Sequence, residues 1–428
     1  MAGMAVSADT PRWRPLAASI LAMMAIANLQ YAWTLFTVPL TKALNASLSA
    51  VQLAFTLFIL TETWLVPVEG YLIDRFGARR IAGAGGVLVG LGWIGSGLTE
   101  SLAGLYAWYT VGGVGAGAVY GASMGLVLKW FPDRRGLAAG LTAGAYGFGT
   151  ALTVIPIDRM IEAAGYNTAF LTWGAVQGVV VLLAARWMVA PHPGWRPAGW
   201  QPRSSLGQSA ISYRPAQMVR TGTFWLMYGM MTLVAFGGLM VTAQLKPIAG
   251  AYGLDKTVVV LGVTALGLAL VLDRILNGLA RPFWGWVSDR VGRANAMAVA
   301  FLLEALAKVA LLQLVSQPMW FVILSAFTFF AWGEIFSLFP ATIGDVFGPD
   351  HATTNYGIQY TAKGAASIFA GWGAARLLEA TGSWIPVFWA GVGCDLVAAA
   401  LAWFWLKPLI VRLTAERRAE PAAAPGKG

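Results

Sequence analysis

Charge is scarce in this sequence: 11% of its 428 residues are Asp, Glu, Lys or Arg, against 58% that are apolar. So few charges cannot cover the surface of a soluble protein of this length, and a bilayer is the natural solvent. Cysteine is almost absent. The single Cys394 lies in an apolar run, which excludes a disulfide framework, and with only two histidines, His192 and His351, a metal centre is not expected. No motif asks for a cofactor either, because the glycine-rich stretches 112–121 and 136–149 follow no strand and lack the lysine-serine or acidic context of a phosphate loop. Nucleic acid is an unsuitable partner despite a net charge of +10, since the basic residues fall singly between apolar runs and form no basic face. No nucleophile stands beside a base, so catalysis is not indicated.

What is present is a succession of apolar runs, each near the roughly 20 residues that a helix needs to cross hydrocarbon. Twelve are expected, near 16–38, 50–72, 81–98, 102–128, 136–158, 167–189, 223–248, 257–286, 294–315, 319–345, 354–378 and 386–408. The first is too long for a signal-peptide core and no small-residue cleavage site follows it, so the N-terminus is read as retained. The longest polar stretch, 191–221, is read as a cytoplasmic linker between two six-helix bundles, 1–190 and 222–410; the segment 411–428 reads as a disordered tail. Lys and Arg orient the chain. With both termini cytoplasmic, 20 of them fall on the inner side and five (Lys42, Arg159, Lys246, Lys256 and Arg376) on the outer side. Arg274, Arg281, Lys308 and Lys363 fall inside spans.

The second half repeats the first. Gly70-Tyr-Leu-Ile-Asp74-Arg75-Phe-Gly77 returns as Gly285-Trp-Val-Ser-Asp289-Arg290-Val-Gly292, an offset of 215 residues, and Trp130-Phe-Pro-Asp133 is echoed by Val346-Phe-Gly-Pro-Asp350. A shift of 217 takes Tyr146 to Lys363, and a shift of 216 takes Tyr120 to Phe336, so these pairs should face each other near the midplane.

The doubled glycine, aspartate and arginine pattern resembles the signature loop of the major facilitator superfamily. The resemblance implies an all-α integral membrane fold of twelve helices in two pseudo-symmetric bundles. It further implies that Gly70 and Gly285 let helices approach while Asp74, Arg75, Asp289 and Arg290 latch the cytoplasmic side. Longer stretches are similar to the bacterial oxalate/formate antiporter group: Leu29-Gln-Tyr-Ala-Trp-Thr34, Ala50-Val-Gln-Leu-Ala-Phe-Thr56, Val119-Tyr-Gly121, Trp130 to Gly136, Asn277 to Gly285, Phe330-Ala-Trp-Gly333, Asn355-Tyr-Gly357, Ala362-Lys-Gly364 and Ser367-Ile-Phe369. In that group two cations bind the anionic substrate, and they fall here on Arg281 and Lys363. The implied home is a bacterial cytoplasmic membrane, and the chain is taken as a monomer.

The residue chemistry agrees with an anion site. A cation at the bilayer centre costs about 2.5–3.5 kcal/mol on insertion scales, so each needs a partner. A carboxylate substrate supplies one, arginine gripping it with a planar fork and lysine with a compact charge; an acid on a neighbouring helix would supply another. Gln30, Tyr31, Gln52, Tyr120, Tyr146 and Trp332 each carry a donor for a carboxylate oxygen and are expected to wall the cage, with Asn277 and Phe336 beside the cations.

Several acids depart from the antiporter pattern. Glu62, Asp273, Glu304, Glu334 and Asp395 lie in spans, with Glu69 near a span end, and Phe336 stands where a tyrosine is expected. Asp273, Asn277 and Arg281 are four residues apart on one helical face. Asp273 is therefore the candidate proton acceptor in a rival reading, proton-coupled monocarboxylate symport, unless it simply pairs with Arg274. Glu304 and Lys308, spaced i, i+4, are expected to pair on their own helix. A non-transporting membrane receptor is the third reading.

Overall fold

The computed structural model describes residues 11–192, 195–197, 212–348 and 351–412. The expectation for the tail lies outside these residues from 413 onward, as do Pro349 and Asp350 of the second repeated loop. Span one is Trp13–Tyr31 with Trp33–Ala43, and span two is Leu48–Trp64 with Val66–Phe76. Spans three and four are Ala78–Leu98 and Leu102–Trp130; span five starts with Arg135–Phe148, and Val154–Ala185 finishes it and contains span six. Seven is Gly222–Ala251, eight Ala265–Val291, nine Arg293–Leu314 and ten Pro318–Trp332 with Ile335–Phe347. Eleven runs from Ala352–Ser367 through a π-helical turn to Ala374–Thr381, and twelve is Ile385–Leu401 extended by Ala402–Leu406.

Among the described residues, eight helices are long and apolar enough to cross a membrane, nine when the two pieces of span two, bent by 49°, count as one. The remaining crossings have physical explanations. The helical run Leu137–Ala185 has 49 residues, too many for one crossing of a roughly 30 Å core, and it breaks at Gly165, where φ is 85° and ψ is 160°. Spans eight and eleven are missed by apolarity because they are the most polar of the long helices. They are also the two that carry Arg281 and Lys363.

Serine or threonine caps start spans two, four, seven and eight: Ser47, Ser101, Thr221 and Thr264 each accept a hydrogen bond from a backbone N–H three residues on. Span eight begins later than expected. Residues 258–264 form instead a short antiparallel hairpin, Val258–Val260 with Val263–Thr264, turning through Leu261 and Gly262 at positive φ. The β-branched residues Thr257 to Val260 before a tight turn, and Val263 and Thr264 after it, favour a ribbon over a helix.

Span three packs on four and six, and nine packs on twelve, at the periphery of each set of six; spans one and seven, two and eleven, and five and eight meet between the sets. Large apolar side chains such as Leu306, Val397 and Phe404 stay exposed on the outside, as lipid contact requires. The duplication is preserved in backbone detail. Gly77 and Gly292 adopt the same unusual conformation, φ 85° and ψ 148° against φ 89° and ψ 150°, each just before the next helix. Gly292→Ala should therefore cost about 1–3 kcal/mol, read as a lowered unfolding midpoint in detergent. Gly285→Ala should be nearly silent, because a Cβ at Gly285 meets nothing within 4 Å.

Candidate functional site

Span eleven places Tyr360 and Lys363 one turn apart, so both reach the same chamber between the two sets of six helices. The Lys363 ammonium is fully buried and donates to Glu62 Oε2 at 2.9 Å, Gln30 Oε1 at 2.8 Å and the Tyr360 hydroxyl at 3.2 Å. Glu62 comes from span two, and its other oxygen accepts from the Tyr146 hydroxyl at 2.8 Å; that hydroxyl also lies 3.0 Å from Gln30 Oε1. Span eight supplies Arg281 from the far wall. Its guanidinium donates to the Ala143 carbonyl of span five and lies 3.5 Å from Asn277 Oδ1 one turn back.

Phe336 joins the two cations. Its ring centroid is 4.4 Å from the Arg281 guanidinium carbon and 5.9 Å from the Lys363 nitrogen. A phenyl ring in the place expected for tyrosine offers both cations a π face with no competing hydroxyl. Around it, Tyr120 stacks on Tyr360 with centroids 5.6 Å apart and meets Tyr146 edge-on at 5.6 Å, while Trp332 stands edge-on to Phe336 at 5.2 Å. Lys363 lies 5.7 Å from the Tyr146 ring, and Tyr120 and Phe336 both contact Tyr360. Of the positions matched by the repeat, Tyr146 and Lys363 thus meet directly, while Tyr120 and Phe336 are bridged by the Tyr360 ring.

The Tyr31 hydroxyl and the Asn277 amide lie against each other, and three buried donors of the site have no hydrogen-bond partner among the described residues: Gln30 Nε2, Arg281 Nε and Trp332 Nε1. Each is a donor, and such donors are costly to bury unless something accepts from them. An anion with carboxylate geometry accepts several at once.

One sequence expectation changes, and the alternatives open for Asp273 resolve toward its contact with Arg274. Gln52 is not part of the cage: it donates to the Ala243 carbonyl at 2.8 Å and Gln244 Oε1 at 2.9 Å and accepts from Trp33 Nε1, so its amide is consumed tying span two to span seven. Asp273 faces span ten, accepting from Ser325 at 3.0 Å and lying 3.9 Å from Arg274, whose guanidinium is held between the Tyr31 and Phe329 rings at 4.2 and 4.1 Å. Arg281 is two turns away from it.

The signature loops also differ from the expected latch. Asp74 pairs with Lys129 at 3.1 Å and Asp289 with Arg293 at 2.7 Å, whereas Arg75 and Arg290 lie over Phe76 and Trp286 of their own helices. Gly70 and Gly285 touch no neighbouring helix; the close approaches are made by Gly92 on Gly112 and by Gly144 on Gly278.

Glu62 was visible in the sequence as an acid inside a span, but no spacing rule links span two to span eleven. Tyr360 was within reach, one turn before the lysine. Glu304 pairs with Lys308 at 2.6 Å as expected, and Asp395 of span twelve joins them at 2.7 Å, all three fully buried. Lys308→Met should then destabilise the chain by about 3–5 kcal/mol by stranding two acids. Unfolding in detergent measures this, and substrate preference should not change.

Helices crossing a bilayer in two related sets, with a buried cationic chamber between them, define a solute carrier. The chain belongs to the Major Facilitator Superfamily, whose sequence pattern matches residues 18–277 and 228–426. It is 35% identical over 416 residues to the oxalate:formate antiporter of Oxalobacter formigenes, covering 95% of this chain and 96% of that protein. An uncharacterised transporter of Escherichia coli, YhjX, is 28% identical over 83% of this chain and 86% of its own length. Human monocarboxylate transporter 11 is 28% identical over 52% of this chain and 45% of its own. The protein is a multi-pass membrane transporter and not an enzyme.

Proposed function

We propose that the chain exchanges small carboxylate anions by alternating access, in the manner of oxalate/formate exchange, with Arg281 and Lys363 as the anion-binding pair. The observation that carries this reading is the convergence of two buried cations from spans eight and eleven on one ring, Phe336. The chain would sit in a bacterial cytoplasmic membrane as a monomer with both termini inside, the bundles 1–190 and 222–410 rocking about the site. In that orientation Lys246–Asp158 at 2.9 Å and Ser49–Glu379 at 2.7–2.8 Å close the outer end. Exchange has a physical reason. Arg281 forms no ion pair among the described residues, and a buried cation without one resists closure from water; a bound anion lowers that cost, so the carrier returns readily only when loaded.

The alternative, proton-coupled monocarboxylate symport, is favoured by one contact: the acid against a substrate cation is Glu62, not Asp273. Uptake of labelled oxalate, formate and lactate into proteoliposomes, preloaded or not, with internal pH recorded, separates the two. Uptake that needs an internal carboxylate and moves no proton supports exchange. Uptake into unloaded vesicles with proton movement supports symport, and no uptake in any arm refutes both.

A further inference from the structure

The chamber holds an acid that nothing in the antiporter resemblance assigns. Glu62 is 1% exposed, and both of its oxygens are engaged, one by the Lys363 ammonium and the other by the Tyr146 hydroxyl. It therefore cannot turn away from the lysine without breaking a second contact. Counting the groups on the cage, Arg281 and Lys363 contribute two positive charges and Glu62 removes one, leaving a single positive charge. The count is taken over the groups that touch the two cations; among the described residues no other buried acid touches Arg281 or Lys363, and Glu69 acts on the cage only through Glu62. Asp273 and Arg274 balance each other on the span-ten side. Glu69 lies beyond the bend of span two against Gly117, and Glu334 lies near Glu304; neither contacts Arg281 or Lys363.

We propose that Glu62 sets the charge class of the substrate, making this a site for a monoanion, a short monocarboxylate, in preference to a dicarboxylate. This rests on the carboxylate-exchange reading. One carboxylate held between Arg281 and Lys363 brings the closed chamber to neutrality. The second carboxylate of a dianion finds no further cation, because Glu62 already shares the Lys363 ammonium, and would leave three carboxylates on two cations in a poorly solvated space. Discrimination thus comes from a repulsive element as much as from an attractive one.

Counterflow in proteoliposomes tests this, with labelled formate and lactate against labelled oxalate, for wild type, Glu62→Asp and Glu62→Gln. Wild type and Glu62→Asp should prefer the monoanions. Glu62→Gln raises the count to two positive charges and should shift the oxalate-to-monoanion ratio upward by roughly tenfold or more. If Glu62→Gln folds poorly, the preference of wild type and Glu62→Asp still decides the matter. A wild type that prefers oxalate, or an active Glu62→Gln with the wild-type ratio, overturns the charge match while leaving carboxylate exchange standing. Wild-type vesicles that exchange none of the three overturn both.

Discussion

Replacing Arg281 by alanine is expected to weaken carboxylate binding by about 2–5 kcal/mol, roughly 30-fold to several thousand-fold, and so to abolish measurable exchange. The residue is 2% exposed and fixed at three points: the Ala143 carbonyl, Asn277 Oδ1 and the Phe336 ring. These contacts hold the fork in one orientation before an anion arrives, and such preorganisation is where affinity is gained. Arg281→Lys should fail almost as completely, because an ammonium cannot serve Ala143, Asn277 and a carboxylate with the same planar geometry. Counterflow of labelled formate in both variants measures this, with folding checked by monodispersity in detergent. Exchange within a few-fold of wild type in Arg281→Ala would remove Arg281 from the site.

The second large effect is on stability. Lys363→Ala leaves Glu62 buried with one neutral donor, and Glu62→Ala leaves the Lys363 ammonium buried with two neutral acceptors, Gln30 Oε1 and the Tyr360 hydroxyl. Each single change should cost about 3–5 kcal/mol, because an unpaired charge is stranded away from water. The double change should cost clearly less than the sum of the two, with a coupling of at least 1 kcal/mol, at the middle of the range for contacting pairs, about 0.5–3 kcal/mol. Unfolding midpoints of the four proteins in the same detergent give the cycle. The pair joins the first six spans to the last six, so its loss also loosens the contact that must rearrange during transport. Additive costs would mean that the two groups do not meet in the folded protein.

Apolar run lengths gave the helical membrane fold, and the 215-residue offset gave the relation between the halves down to the matching backbone at Gly77 and Gly292. Run length did not show where helices break. Gly165, the bend at Leu65 and the hairpin at 258–264 depend on local backbone conformation, which apolarity does not encode. The two cations were legible because charge inside a span has few explanations. Gln52 was misplaced because a glutamine in a helix reads alike whether its amide faces a chamber or a neighbouring backbone. Glu62 was legible as an anomaly only, since its meaning lies in Lys363, 301 residues along the chain. Long-range pairing of this kind is a property of the packed helices.

The most direct test of the anion site is equilibrium binding of labelled formate to the purified chain in detergent, wild type beside Arg281→Gln, with oxalate, lactate and formamide as competitors. The account predicts saturable binding to wild type, displaced by the carboxylates and not by the uncharged amide, and lost in a variant that remains folded. Binding that is absent from wild type, equal in the two proteins, or displaced by formamide as well as by lactate would contradict it.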